Sequence, residues 1–438
     1  FFGADIQKLG ELAAGGAFAS GTGNVTTRDI LDEYVERLLE GLAGIDPAKL
    51  EGLRVGWDAG NGAAGPALEA LAARLPGEHH LLFTEVDGHF PNHHPDPTVE
   101  ANLADLRALV ADKNLDFGVA FDGDGDRIGA IDGTGRVIWG DQLLMIYAED
   151  LLKNRPHSTI IADVKASRAL FDRVAELGGT PLMWKTGHSL IKSKMKETGA
   201  PLAGDMSGHV FFADEYYGFD DALYAGIRLL AASARLGKSV TELRSAIPPM
   251  LNTPELRFQV DEVRKFAAMA EIAGRLTTNP GPEVESVNAT DGVRVNTADG
   301  WWLLRASNTQ DVLVARAESD NQPGLDRLME QIKGRIAITS PRPNLIQITY
   351  RDSDAKRTYD VTEQLGEMFI KESLAAKERE SREAYEFINK QVQDYHAKLL
   401  EAEERLRMYR SANTDAQPGS ATDANTRISS LRTTVEQT

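Results

Sequence analysis

The 438 residues include no cysteine, which excludes disulfides, thiolate catalysis and Cys-based zinc sites while leaving the compartment open. There is no run of about 18 apolar residues and no charged-then-apolar opening segment, so neither a membrane-spanning helix nor a secretory signal is read, and the chain as written is expected to be soluble. Basic residues are in short supply. Lys+Arg 48 against Asp+Glu 66 gives a net charge of -18, which disfavours non-specific attraction to nucleic acid or anionic membranes. An anionic ligand must therefore be held by local donors against the global field. What is present, 42% hydrophobic and 26% charged residues, is enough for several domains, each with its own core. The chain starts at Phe1 without Met and closes on a helix-like stretch, Arg427 to Thr438, so both ends read as cut.

Phe1 to about Pro47 reads as two helical pieces around a glycine-rich link (Gly15, Gly16, Gly21, Gly23), the second from about Thr27 to Leu42. From Leu53 the pattern turns to strand, glycine turn and helix, and further short apolar strands (HLLFTEV, LDFGVAF, STIIADV) alternate with helical segments. This predicts a largely parallel, doubly wound α/β layout over about residues 48–250, in two units. A break around Pro248, Pro249 and Pro254 leads to a small α+β domain ending near Ala337, with the strand pair WWLLRASNTQDVLVARAES. After SPRP (Ser340 to Pro343) and a strand LIQITY comes a charged helix. There Ile388, Val392, Tyr395, Leu399, Ala402, Leu406 and Tyr409 form a 4-3 heptad seam, a surface for self-association. The expected domains are thus 1–47, 48–138, 139–250, 251–337 and 338–438.

Asp122-Gly123-Asp124-Gly125-Asp126-Arg127 directly follows an apolar strand. Carboxylates at alternate positions of a glycine-loosened loop can converge on a hard cation such as Mg²⁺, leaving positions for phosphate or water. An EF-hand would need Gly where Arg127 stands and Glu where Gly133 stands; a solvated acidic turn is the plainer alternative. Arg305-Ala306-Ser307-Asn308-Thr309 lies between two strands and offers a guanidinium fork, two hydroxyls, an amide and turn N–H groups, a set suited to a phosphate dianion, though polar hairpin turns share this composition. Lys165 follows the strand STIIADV and His188 lies in WKTGHS, where α/β sheets bind ligands; either also reads as an ordinary surface or loop residue. Asp205 and Ser207 in GDMSGH suit sugar hydroxyls or an ordinary turn, and His93 and His94, adjacent in a proline-rich loop, read as structural. Gly60 to Gly65 matches G-x-G-x-x-G, with Glu85 roughly where a ribose-binding acid belongs; this supports either a dinucleotide-binding enzyme or a turn needed only for strand-to-helix packing.

Taken in order, DAGNG, PNHHPDPT, DGDGDR, DVKASR, WKTGHS, GDMSGH, GFDD and RASNT resemble the α-D-phosphohexomutases of the bacterial phosphomannomutase/phosphoglucomutase kind over about residues 1–337. The resemblance implies three α/β domains and a smaller C-terminal domain around one cleft, interconverting hexose 1-phosphate and 6-phosphate through a hexose 1,6-bisphosphate, in the cytoplasm. It implies Mg²⁺ on Asp122, Asp124 and Asp126, with Arg127 beside the reacting phosphoryl group. Lys165 and His188 would face the substrate with proton-transfer roles, Asp205 and Ser207 would recognise the sugar, and Arg305, Ser307, Asn308 and Thr309 would hold the phosphate that is not transferred. Two departures stand out. Asp205 occupies a position where the family has Glu, and the T-A-S-H-N-P-type loop bearing the phosphoserine is not found in these residues, nor is most of the first domain. A polypeptide of these residues alone is accordingly expected to be inactive.

The tail, LIQITYRDSDAKRTYDVTEQLGEMFIKESLAAKERESREAYEFI with its heptads, resembles the periplasmic part of polysaccharide chain-length determinant (co-polymerase) proteins. Neighbouring genes joined by deletion or by faulty sequence assembly are the expected origin of this pairing, with a functional fusion as the alternative; a non-catalytic coiled-coil scaffold is the competing reading of function.

Overall fold

The computed structural model describes residues 4–16, 18, 21–260, 262–307, 310–333, 336–342, 345–350, 359 and 425–430. The chain divides into two compact units, Phe1–Ile332 and Lys333–Thr438.

The first unit opens with an exposed helix α1 (Ala4–Ala14) and a second helix α2 (Leu31–Leu39). The second helix starts later than its sequence suggests: its N-cap, Ile30, offers no side-chain cap, and the Asp29 carboxylate accepts the Leu31 N–H at 3.0 Å in a turn just before it. Val35 and Leu38 on α2 are fully buried in the same core as the α/β layers that follow, so the boundary expected near residue 47 falls inside one packed body.

The first sheet comprises β1 (Arg54–Asp58), β2 (Glu78–Leu82), β3 (Phe117–Phe121), β4 (Ile128–Asp132) and β5 (Val137–Ile138), in the order β2-β1-β3-β4-β5. Helices α3 (Gly65–Ala72) and α4 (Ala104–Lys113) supply its crossovers, and α5 (Gly140–Asn154) leads onward. The second sheet, β7-β6-β8-β9, is built from β6 (Thr159–Asp163), β7 (Thr180–Trp184), β8 (Leu202–Gly204) and β9 (Val210–Phe212), with α6 (Arg168–Glu176) and α7 (His188–Thr198) between strands and α8 (Ala222–Leu236) and α9 (Val240–Ser245) after them. Both sheets contribute to one apolar core with α5 and α8, in which Trp57 stacks on Phe121 at 6.2 Å.

Each sheet is parallel through one edge and antiparallel toward the other: β1 runs parallel to β2 and β3, and β6 to β7 and β8, whereas β3/β4, β4/β5 and β8/β9 are antiparallel. The reason lies in loop length. Only Asp122 to Arg127 separates β3 from β4, and only Asp205 to His209 separates β8 from β9; a parallel pair needs a crossover of a dozen or more residues. The two loops with the densest polar chemistry are therefore hairpin loops.

The glycines that match a dinucleotide fingerprint have a steric explanation. A Cβ on Gly62 would lie 2.8 Å from the Gly123 carbonyl oxygen, and one on Gly65 would lie 1.9 Å from that of Thr84. Close backbone approach, including approach to the acidic loop, needs glycine there.

The C-terminal part of this unit is an antiparallel sheet of β10 (Leu251–Asn252), β11 (Leu256–Gln259), β12 (Val284–Asn288), β13 (Val293–Thr297), β14 (Gly300–Ala306) and β15 (Val312–Ser319). Residues of α10 (Glu262–Thr278) and α11 (Gln322–Lys333) form a core with β13, β14 and β15. Trp301 and Leu303 of β14 instead pack with Val164 and Met183 at the ends of β6 and β7. In the second unit, β16 (Ile336–Arg342) and β17 (Leu345–Tyr350) form an antiparallel pair. The expected boundary after residue 337 lies within β16. The heptad seam and most of the chain-length-determinant-like tail lie outside the described residues.

Candidate functional site

The acidic loop is organised by its first carboxylate. Buried Asp122 accepts, on Oδ1, the N–H groups of Gly125, Asp126 and Arg127 at 3.0–3.1 Å, and Arg127 Nε donates to its Oδ2 at 2.6 Å. Burial pushes the Asp122 carboxyl above the usual carboxylate range, against the pull of Arg127. Asp124 is exposed and Asp126 half-buried, and one oxygen from each of the three lies within 4.8 Å of the others. Such an all-oxygen set of three fits a hard divalent cation: Asp124 and Asp126 present the open oxygens, while Asp122 also shapes the loop.

The sugar-type loop is joined to this loop. Ile128 donates its N–H to the Gly208 carbonyl at 3.0 Å, and a Cβ on Gly208 would lie 2.5 Å from the Ile128 carbonyl oxygen. Asp205, nearly fully buried, accepts the N–H groups of Ser207 and His209 on Oδ1 and pairs through Oδ2 with His209 Nδ1 at 2.8 Å. Both its oxygens are thus engaged within the loop, and Ser207 is the more accessible of the two expected sugar contacts. His209 Nε2 lies 3.5 Å from Asp126. Burial alone would lower the His209 pKa, but the two carboxylates raise it to about 10, so His209 is a fixed cation between the loops. His188 stacks on His209 at 5.4 Å, and Asp220 holds its Nδ1 at 3.0 Å while accepting Lys192 Nζ at 2.7 Å.

Lys165 is buried with its Nζ 3.9 Å from Asp163 and 3.7 Å from Glu255. Burial raises the Asp163 pKa to about 6, although Lys165 pulls it down. The Lys165 turn is held from the C-terminal sheet: Arg294 Nη1 donates to the carbonyls of Val164 and Ala166 at 2.9 and 2.7 Å, and Glu318 Oε1 accepts the Arg168 N–H at 2.9 Å.

Arg305 is buried near the end of β14. Its Nε donates to Asp291 at 3.0 Å, and its Nη2 is buried with no hydrogen-bond partner among the described residues. Ser307 follows and its Oγ accepts the Gln310 N–H at 3.2 Å. Asn308 and Thr309 lie outside the described residues.

Residue-by-residue reading of the sequence passed over His209, Asp220, Asp163, Glu255, Asp291, Arg294 and Glu318. The first two stand inside the motifs GDMSGH and GFDD, so the signal was at hand; the others carry no local signature. His93, read as structural, donates from Nε2 to the buried Asp58 carboxylate at 3.0 Å, and that partner raises its pKa to about 9.

A hard oxygen cluster, a lysine and a histidine on neighbouring loops and a buried guanidinium with a donor to spare, all on an α/β frame, form a donor set whose chemistry suits a phosphate ester and a divalent cation. Comparison with known proteins narrows this. Residues 32–135, 139–250 and 255–335 match the models for phosphoglucomutase/phosphomannomutase alpha/beta/alpha domain II, alpha/beta/alpha domain III and the C-terminal domain. The chain is 43% identical over 339 residues to a phosphomannomutase/phosphoglucomutase of Pseudomonas aeruginosa, covering 77% of this chain and 71% of that protein. It is 41% identical to a phosphoglucomutase of Neisseria meningitidis, covering 74% and 68%. A crystal structure of a Burkholderia thailandensis protein of the same family superposes with a TM-score of 0.69 at 42% identity, covering 76% of this chain and 70% of that one. The chain belongs to the phosphoglucomutase/phosphomannomutase family. Among the described residues no helix is long and apolar enough to cross a membrane.

Proposed function

We propose that residues 32–335 form the metal-, sugar- and phosphate-holding part of a phosphohexomutase site that takes hexose 1-phosphate and hexose 6-phosphate, with the 1,6-bisphosphate as intermediate. The observation that carries this reading is Arg305, whose Nη2 is buried without a partner while Asp291 fixes Nε. A buried donor without an acceptor is costly, and a phosphate oxygen supplies one. Ser307 follows Arg305 two residues on, and the sequence adds Asn308 and Thr309 as further expected phosphate donors. Asp122, Asp124 and Asp126 hold Mg²⁺, which when bound offsets phosphoryl charge, and Arg127 lies beside them for the reacting group. Asp220 fixes the His188 ring through Nδ1, leaving Nε2 to take or give a substrate proton; Lys165, between two carboxylates, serves the same cleft. Ser207 offers its hydroxyl to the sugar, and Asp205 keeps His209 and the loop in place. Holding one phosphate remotely orients the sugar while the other reacts.

These 438 residues contain no T-A-S-H-N-P-type loop, so a polypeptide of these residues alone binds hexose phosphate without turning it over; turnover sensitive to Mg²⁺ chelation would refute that. Calorimetry with glucose 6-phosphate tests the phosphate reading. Arg305→Ala is expected to lose about 1.5–3 kcal/mol of binding, and equal affinities would place the phosphate elsewhere.

A further inference from the structure

We infer that Asp291 is a positioning residue that ties the phosphate-holding arginine to the His188 loop and to Lys165, so that an anion seated on Arg305 also fixes these two groups. The inference rests on the phosphate reading of Arg305 for its ligand, and on geometry alone for the coupling. One oxygen, Asp291 Oδ2, accepts two donors from different parts of the chain: Arg305 Nε at 3.0 Å and the backbone N–H of Thr186 at 3.0 Å. Thr186 lies two residues before His188, and its hydroxyl donates to Asp163 Oδ2 at 3.1 Å. That same Asp163 oxygen stands 3.9 Å from Lys165 Nζ. The chain of contacts therefore runs without a gap from Arg305 to Lys165.

The other contacts between the same two regions have a different character. Arg294 grips the carbonyls on either side of Lys165, and Glu318 takes the Arg168 N–H; both are nearly or fully buried. Neither touches Arg305, so they clamp the Lys165 turn whatever the anion site holds. Asp291 is the member shared between the guanidinium that faces the anion and a loop backbone. A guanidinium held at Nη2 by an anion has less freedom to swing, and the carboxylate on its Nε is held with it. The loop amide bonded to that carboxylate then opens less often.

Hydrogen–deuterium exchange on the full chain, read at residues 184–190, tests this in two arms. Without ligand, Arg305→Met is expected to speed exchange of the Thr186 amide by about tenfold, the scale of one charge-assisted hydrogen bond, with residues 117–132 unchanged as the control for folding. Should that control be lost, Asp291→Asn without ligand decides the same point from the other end of the bond. With glucose 6-phosphate, the wild type is expected to slow exchange at 184–190, Asp291→Asn to bind without slowing it, and Asp291→Glu to recover part of the effect. Unchanged Thr186 exchange in the ligand-free arm overturns the coupling, as does equal slowing in Asp291→Asn. If the wild type binds no glucose 6-phosphate, the phosphate reading of Arg305 falls, and the ligand-free arm still decides whether Asp291 couples the two groups.

Discussion

The two-sheet α/β body and the C-terminal sheet each bury an arginine almost completely, Arg228 and Arg294, and hold it in different ways. In the body, buried ions meet counter-ions: Arg228 and Asp214 pair through two bonds of 3.0 Å, Arg127 lies on Asp122, and His209 sits between Asp205 and Asp126. In the C-terminal sheet, Arg294 is almost fully buried yet donates to backbone carbonyls and lies 3.7 Å from the face of Trp301, and burial lowers its pKa to about 9. Among the described residues, the buried side-chain atoms without a hydrogen-bond partner in that sheet are guanidinium nitrogens of Arg294, Arg305 and Arg316 and one carboxylate oxygen, Glu318 Oε2, whereas in the body they are two carboxylate oxygens, on Asp150 and Asp163, and Arg228 Nε. The lesson concerns an acidic protein that has to hold an anion. Its net charge of -18 opposes capture, and a local surplus of desolvated cations on one sheet supplies what the whole molecule lacks.

The largest expected effect breaks the paired side of this comparison. Arg228→Met leaves Asp214 buried without its counter-ion and should cost about 3–5 kcal/mol of unfolding free energy, whereas Arg294→Met, which strands only carbonyls and removes a desolvated charge, should cost about 1–3 kcal/mol. Urea melts of both variants check this, and an equal loss would erase the contrast.

A smaller effect follows from Asp58 and His93. The folded pKa of His93, raised to about 9 by the Asp58 carboxylate, exceeds its unfolded value of about 6.5. Below about pH 6.5 both states are protonated and the stabilisation is complete; it declines as pH rises through about 9, by about 3 kcal/mol. Melts of wild type and His93→Gln between these limits should converge with rising pH. Parallel curves would show that the pair does not contribute in this way.

The smallest change in stability is expected at Asp124. Because it is exposed, Asp124→Asn should alter folding by no more than about 0.5 kcal/mol while weakening Mg²⁺ binding by about tenfold. Asp122→Asn should weaken both, since that carboxylate also accepts three loop N–H groups. Calorimetric titration with Mg²⁺ and thermal melts separate the two. If Asp124→Asn binds Mg²⁺ like the wild type, the cation lies elsewhere.

Much of the site was legible from local chemistry. The alternating carboxylates of Asp122 to Asp126, the Arg305 turn and the placement of Lys165 and His188 after strands are properties of a few consecutive residues, and the short spacings between strands already require hairpins at the acidic and sugar-type loops. The parallel layout was read less fully, because the antiparallel pairs β3/β4 and β8/β9 follow from loop length rather than from apolar pattern. Helix α2 was drawn too early because the turn that Asp29 makes with the Leu31 N–H was not weighed.

What the sequence by itself determined is therefore the kind of donors available and the order in which the chain presents them: an acidic hairpin, a lysine turn, a histidine loop and an arginine turn. Tertiary structure alone decided which donors are committed and which remain free. Asp205 reads as a sugar ligand and is engaged with His209; Arg294 carries no local signature and holds the Lys165 turn 130 residues away; Asp291 carries none either and joins Arg305 to Thr186, 105 residues away. Such commitments depend on burial and on contacts between residues remote in sequence, and burial is what makes an unpaired donor costly enough to demand an anion.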